Sequence, residues 1–299
     1  MTVLTPRSNT RVGVSTRRRF SNHFATVLIS STMFLALIPL VWVLWEVVAR
    51  GIGPVLHLEW WTTSQRGVMY HTAGGGALHA IVGTLVQTLI TAALSIPIGI
   101  FTAIYLVEYA NGSRLARFTT FMVDILTGVP SIVAALFIYS AWIVLFGFDR
   151  SGLAVSLALV ILMVPVIIRN TEEMLRVVPQ DLREASYALG VPKWKTIARI
   201  VLPTALSGII TGVMLAIARV MGESAPVLVL VGSTQVINWD ALNGPQSSLP
   251  LMMLDMYKAG TSDAVLAKLW GAAFTLVFII AVLNVGARWI SSHFSVKTH

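Results

Sequence analysis

The chain predicts an all-α integral membrane protein with six transmembrane helices, and three observations carry that fold class. Hydrophobic residues make up 56% of the 299 and charged residues only 11%, with a mean hydropathy of +0.80. Soluble domains carry about 25% charged residues. The apolar residues gather into six stretches, most of them near or above the ~20 residues that cross a bilayer. Lys and Arg concentrate in alternate connections between those stretches, as the orientation rule for membrane helices requires.

Taken in order, residues 1–23 form an N-terminal tail holding Arg7, Arg11, Arg17, Arg18 and Arg19. Its charge resembles the start of a signal peptide. The first apolar stretch, 24–49, is however long enough to span, so it reads as an uncleaved anchor. The outer loop 50–76 ends in Ala73-Gly74-Gly75-Gly76, a flexible entry to the second span, 77–107. The third, 119–148, is interrupted by Gly128-Val129-Pro130 and begins as a short interfacial helix containing Asp124. That carboxylate faces either an interior cavity or the interface. The fourth, 153–168, is short.

The fifth and sixth spans, 204–231 and 264–290, bracket an outer segment, 232–263. There Asn243-Gly244-Pro245 marks a turn, and residues 249–257 predict a short helix at the surface. Residues 291–299 are the second tail. The organisation is thus one six-helix transmembrane domain, 24–290, between two tails. Pro39, Pro97, Pro165 and Pro226 fall inside apolar stretches, but neighbouring helices satisfy the backbone groups that proline frees. Kinks alone therefore locate no site.

With both termini inside, fifteen Lys and Arg lie on the cytoplasmic side and five outside, leaving Arg219 within a span. The net charge of +8 is then mostly a topology signal, with a contribution from anionic lipid, and argues against a nucleic-acid partner. The sequence has no cysteine, which excludes thiolate chemistry and Cys-ligated metal. His57, His71 and His79 lack metal-ligand spacing, so no metal site is expected. Trp60, Trp61, Trp239 and Trp289 fit an interfacial aromatic belt. No catalytic motif of a membrane protease or lipase occurs, and no catalytic residue is expected.

Two segments carry the functional signal. The inner loop 169–203 holds Glu184-Ala185-Ser186-Tyr187-Ala188-Leu189-Gly190, then nine residues, then Ile200-Val201-Leu202-Pro203. Residues 180–189 predict a short amphipathic helix with Leu182, Ala185 and Leu189 on one face. Gly190 stops it, residues 194–201 predict a second helix, and Pro203 opens the fifth span. The hairpin either lies on the membrane or is a surface that a cytoplasmic partner pushes on.

The second segment is Arg219-Val-Met-Gly222-Glu223-Ser224-Ala225-Pro226. An ionised side chain at mid-membrane costs about 2.5–3.5 kcal/mol even on the lenient scale. Arg219 and Glu223, four apart, are expected to pair on one helix face. Either the pair locks the bundle or it lines an anion path. Gly222 and Pro226 weaken the helix at that place and favour the path, and arginine suits an oxyanion.

Glu-Ala-Ser-x3-Gly-x9-Ile-x-Leu-Pro resembles the inner-loop signature of permease subunits in binding-protein-dependent ABC importers, with Ser186 where alanine is commonest. Ala-Arg-x-x-Gly-Glu-Ser-Ala-Pro resembles the phosphate permeases of the PstA type. Residues 80–85, 128–133 and 169–175 agree, so the likeness runs from about residue 74 to the C-terminus.

The resemblance implies a type I ABC importer permease fold in a bacterial inner membrane. It also implies an ATPase-coupling surface at Glu184, Ala185, Ser186 and Gly190, and a substrate path at Arg219 and Glu223. Arg169 sits at the inner end of that path or serves as a charge anchor. The implied partners are a second homologous permease, two copies of an ATP-binding subunit and an extracytoplasmic phosphate-binding protein. No Gly-x4-Gly-Lys-Ser/Thr loop occurs in this chain, so ATP and Mg belong to the partner and the chain holds no cofactor of its own. A permease for sulfate or molybdate shares the inner loop, and an ion-gradient-driven carrier is the reading from another class.

Overall fold

Helix is the regular secondary structure throughout the described residues of the computed structural model, which are 16–294 apart from Asn111. That is what hydrocarbon demands, since it leaves backbone amides no solvent to bond with. The chain divides into two compact units between Val48 and Ala49. Helix α1 (Thr16–Val55) begins inside the expected tail and ends beyond the expected span. Met33, Phe34, Trp42 and Val43, which point in four directions around it, are all exposed. A helix apolar all round is built for lipid. Residues 1–15 and 295–299 of the two expected tails lie outside the described residues.

In the second unit, α2 (Leu58–Thr62) precedes α3 (Leu78–Ile104), which continues through a wide π-type turn, Tyr105–Tyr109. Helices α4 (Arg114–Thr127) and α5 (Ser131–Ile138) follow, and α5 runs on through a second wide turn, Tyr139–Leu145. Helix α6 (Gly152–Val177) leads to the inner hairpin, α7 (Gln180–Ala188) and α8 (Lys193–Thr196). A third wide turn, Ile197–Val201, joins α8 to α9 (Leu202–Met221). The rest is α10 (Ala225–Leu230), α11 (Leu249–Ala259) and α12 (Asp263–Phe294).

Five helical stretches are long and apolar enough to cross a membrane, and the α4–α5 pair, bent by 107°, makes a sixth if counted as one broken span. The bend falls at residues 128–130, where the sequence placed it. The fourth span is not short, because Arg169 to Arg176 continue α6 as a helix to Val177. The fifth differs at both ends. It is continuous with the second inner helix from Lys193 and stops at Met221, ten residues early. Pro203 sits in the first turn of α9 as expected, although the wide turn before it makes α9 part of a helical run from Lys193.

Helix α6 is the most enclosed of the spans. Its Leu159, Met163 and Ile167 form the main core with Ala135 and Ile138 of α5, Val220 of α9 and Leu230 of α10. Small residues bring the backbones together. A Cβ at Gly99 of α3 would lie 2.5 Å from Ile167 Cγ2, and one at Gly212 of α9 would lie 1.6 Å from Asn170 Oδ1. Gly208, one turn before Gly212, is filled in the same way by Met174 of α6. Lipid supplies no hydrophobic drive between helices, so close van der Waals packing at such seams holds them.

The outer segments are built in rather than loose. The Gly75 N–H donates to Glu59 Oε1 at 3.1 Å, and Lys268 Nζ donates to Met69 O and Tyr70 O at 3.2 and 3.4 Å. The glycines of residues 74–76 thus form a pinned turn, with Gly74 and Gly75 at φ 94° and 79°, and not a flexible entry. Trp60 is buried and donates from Nε1 to Thr275 Oγ1 at 2.9 Å, so it belongs to the core and not to an aromatic belt.

The helix expected at the outer surface, α11, is buried at Leu249, Leu251, Met252 and Met256. The segment before it crosses α3, where Gln87 Nε2 donates to Gln246 O and Ser247 O at 3.3 Å each. The turn at residues 243–245 is present, with Gly244 at φ 80°. The side chain of Asn243 and the N–H of Leu242 hold the nearby Asp240 carboxyl below its ordinary range.

A Cβ at Gly83 would fall 1.9 Å from Ser247 O, so Gly83→Ala has to displace that crossing. The change is expected to cost about 1–3 kcal/mol and to lower the unfolding midpoint of the detergent-solubilised protein, followed by tryptophan fluorescence. Gly53→Ala, where a Cβ meets nothing within 4 Å, should leave the midpoint level or raise it. Equal midpoints for wild type and Gly83→Ala would contradict the packing described.

Candidate functional site

The inner hairpin is an amphipathic helix turned inside out. Helix α6 ends at Val177, and Val178 and Pro179 turn the chain into α7. The only buried residues of α7 are the polar Arg183 and Ser186. Leu182, Ala185 and Leu189, the apolar face read from the sequence, are exposed, Leu189 at 82%. Glu184, Tyr187 and Gly190 are exposed beside them. Gly190 sits at φ 74° and ends the helix as expected. Trp194, 65% exposed, extends the same apolar rim from α8.

Polar contacts hold the hairpin from behind. Arg183 Nε and Nη2 both donate to Glu108 Oε1, at 3.2 and 2.9 Å. Nη1 and Nη2 reach the carbonyls of Val178 and Leu175 at 2.7 and 2.9 Å. Ser186 Oγ lies 2.8 Å from Thr196 Oγ1 and ties α7 to α8. Lys193 Nζ donates to the carbonyl of Glu108 and stands 5.0 Å over the Tyr109 ring. A cavity of about 530 Å³ opens here, lined by Glu108, Arg176, Gln180, Arg183, Tyr187 and Lys193.

The intramembrane segment departs from its expected form. Arg219 occupies the last turn of α9, Gly222 caps that helix, and Glu223 lies in the break before α10. The helix therefore does not extend to the fourth residue, and Arg219 and Glu223 form no ion pair. Arg219 is exposed and Glu223 partly buried.

Arg169, unlike Arg219, is paired. It donates to Glu172 Oε2 at 2.8 Å, to Asp124 Oδ1 and to Thr120 O. The open question about Asp124 thus resolves to a contact joining α4 to α6. Arg169 and the Arg219–Glu223 segment remain separate features of the described structure. Sequence reasoning missed Glu108 and counted Arg183 only as a topology charge. The available signal was a lone acid one residue past the end of an apolar stretch.

Residues 95–298 match the family described as binding-protein-dependent transport system inner membrane component. The chain belongs to this family. It is 54% identical over 274 residues to the phosphate transport system permease protein PstA 1 of Mycobacterium tuberculosis, covering 92% of this chain and 88% of that protein. It is 41% identical over 284 residues to the PstA permease of Yersinia pestis, covering 94% and 92%. The fold is shared with an inward-facing structure of the MetNI methionine ABC transporter, at TM-score 0.61 and 18% identity, covering 73% of this chain and 96% of that one. The permease is accordingly a multi-pass membrane protein with a type I importer fold.

Ser186 is where the permease departs from the commonest inner-loop pattern, and its hydroxyl has a buried partner. Ser186→Ala should cost about 1 kcal/mol of stability, the scale of one neutral hydrogen bond, and leave the hairpin in place. Ser186→Leu puts a large side chain against Thr196 and should release α7 from α8. Limited proteolysis between residues 180 and 196 tests this, and equal cleavage of the two variants would count against the buried contact.

Proposed function

We propose that the permease is a membrane-spanning subunit of an ATP-driven importer of inorganic phosphate, working by alternating access. The cargo rests on likeness to the PstA proteins at up to 54% identity over nine-tenths of the chain. The drive rests on one observation, the outward apolar face of α7 with the unpaired Glu184 carboxylate beside it. Contiguous exposed apolar surface rimmed by polar groups marks an interaction site, and a carboxylate there accepts a charge-assisted hydrogen bond.

The partner proposed for that face is an ATP-binding subunit, present in two copies and carrying ATP and Mg. Closure of those subunits pushes α7 and rocks the helices between outward and inward access. A second homologous permease completes the path, and an extracytoplasmic phosphate-binding protein loads it. Both termini and the hairpin are proposed to lie in the cytoplasm, a reading the Lys and Arg distribution supports.

Arg219 and Glu223 are proposed to line the path. An arginine in a span faces protein interior or water, and Arg219 is exposed on this single chain, so a water-filled path shared with the second permease suits it. Arg169, held by two carboxylates, marks the inner end. Binding along such a path has to be weak enough for release.

The test reconstitutes the permease with its partners in vesicles and follows uptake of labelled phosphate. Arg219→Ala should lower uptake about 10- to 100-fold, the scale of a lost hydrogen bond to a charged group, with the complex still co-purifying. Normal uptake in that variant refutes the path. Glu184→Arg should detach the ATP-binding subunit, and an intact complex would refute the docking face. Equal transport of sulfate or molybdate would refute the cargo.

A further inference from the structure

Helix α7 has no apolar anchor. The inner cluster of Ile104, Leu175, Val178, Ile197, Val201, Ala205 and Ile209 holds the ends of α3 and α6 against the start of α9, and takes no residue from α7. Only Arg183 and Ser186 of α7 are buried. Any load applied to its outer face therefore passes inward through polar contacts.

We infer that the Arg183–Glu108 pair is the strut that transmits displacement of α7 to the transmembrane helices, which makes both residues positioning residues for transport. Arg183 neighbours Glu184 in sequence, so the two point about 100° apart around one helix, one outward and one inward. The Arg183 guanidinium engages α3 through Glu108 and the end of α6 through Leu175 and Val178. A planar fork held at all three nitrogens is rigid in a way a single point contact is not.

Glu108 is the common attachment of both hairpin arms. Its carboxylate takes Arg183 and its carbonyl takes Lys193, the first residue of the helical run that ends at Met221. Glu108 itself lies in the wide turn that ends α3, and turns of this kind collect at functional positions. A push on α7 thus reaches α3, α6 and, through Lys193, the helix that carries Arg219.

The inference rests on the proposed docking face, and the experiment separates the two. In the assembled importer in vesicles, the quantity read is phosphate transported per ATP hydrolysed. A variant that merely lowers the amount of folded complex reduces both rates together and leaves this ratio unchanged.

Glu108→Ala should keep hydrolysing ATP while the ratio falls about tenfold. An unchanged ratio overturns the strut. The chain has no cysteine, so Glu108→Cys with Arg183→Cys can be bridged by a short bifunctional thiol reagent. The unbridged double variant should be uncoupled and the bridged one should regain most of the wild-type ratio. Failure of bridging to restore transport overturns the inference, including a bridged form that hydrolyses ATP without transport, which would mean that the pair has to open during the cycle. If Glu184→Arg leaves the complex and its uptake intact, the docking face is wrong whatever the Glu108 variants show.

Discussion

A backbone amide without a partner costs several kcal/mol in hydrocarbon, and the permease is arranged around that constraint. Every crossing segment is helical, and where the chain departs from helix at residues 128–130 and 222–224 N–H groups turn back on carbonyls of the preceding turn. At residues 128–130 it folds back by 107° and begins again with Pro130 as the cap of α5. At residues 222–224 it breaks, with the N–H groups of Gly222 and Glu223 donating to the carbonyls of Arg219 and Val220. The three wide turns are a milder departure, since each keeps its residues bonded within the helix while changing the direction of the side chains. One of them presents Glu108 to Arg183.

The same medium explains the glycines. With no water to expel between helices, contact has to come from close approach, and α3, α6 and α9 meet at Gly99, Gly208 and Gly212. These seams make α6 a fixed pillar. Its inner end then supplies Arg169, braced by Glu172, to α4, and the carbonyls of Leu175 and of its cap Val178 to Arg183 of α7. Packing at mid-membrane and polar contact at the inner face are thus consecutive stretches of one helix. A side chain added at Gly212 would displace Asn170, and one at Gly208 would displace Met174.

Much of this was legible in the sequence because the relevant signals are local. Hydropathy located the six apolar stretches, the break at residues 128–130 was written in Gly-Val-Pro, and Gly190 ended α7 as its lack of a side chain allows. The misplacing of α11 and Trp60 has one cause, which is that burial is a tertiary property. Residues 249–257 are as apolar as a surface-lying helix, yet Gln87, Thr84 and Gly83, some 160 positions away, draw them inside. The spacing of Arg219 and Glu223 promised a pair only on the assumption of an unbroken helix, and the break after Met221 removes it. Arg183 and Glu108 are 75 residues apart, and no local pattern joins them.

The pairing of the arginines decides which of them an anion can use. Arg169 faces two carboxylates, so its surroundings carry one negative charge more than positive, and an approaching oxyanion is repelled unless Asp124 swings away. Asp124 is the exposed member of that group and Glu172 the buried one. The half of the cluster able to move is therefore the half on α4, the helix at the broken span. Arg219 has no such competitor: Glu223 lies past the helix end and leaves the guanidinium open. Arginine's charge persists at any physiological pH, so its availability is set by geometry alone. The break between α9 and α10 provides that geometry, because a helix that continued would bring Glu223 back over Arg219 and close the site to an anion.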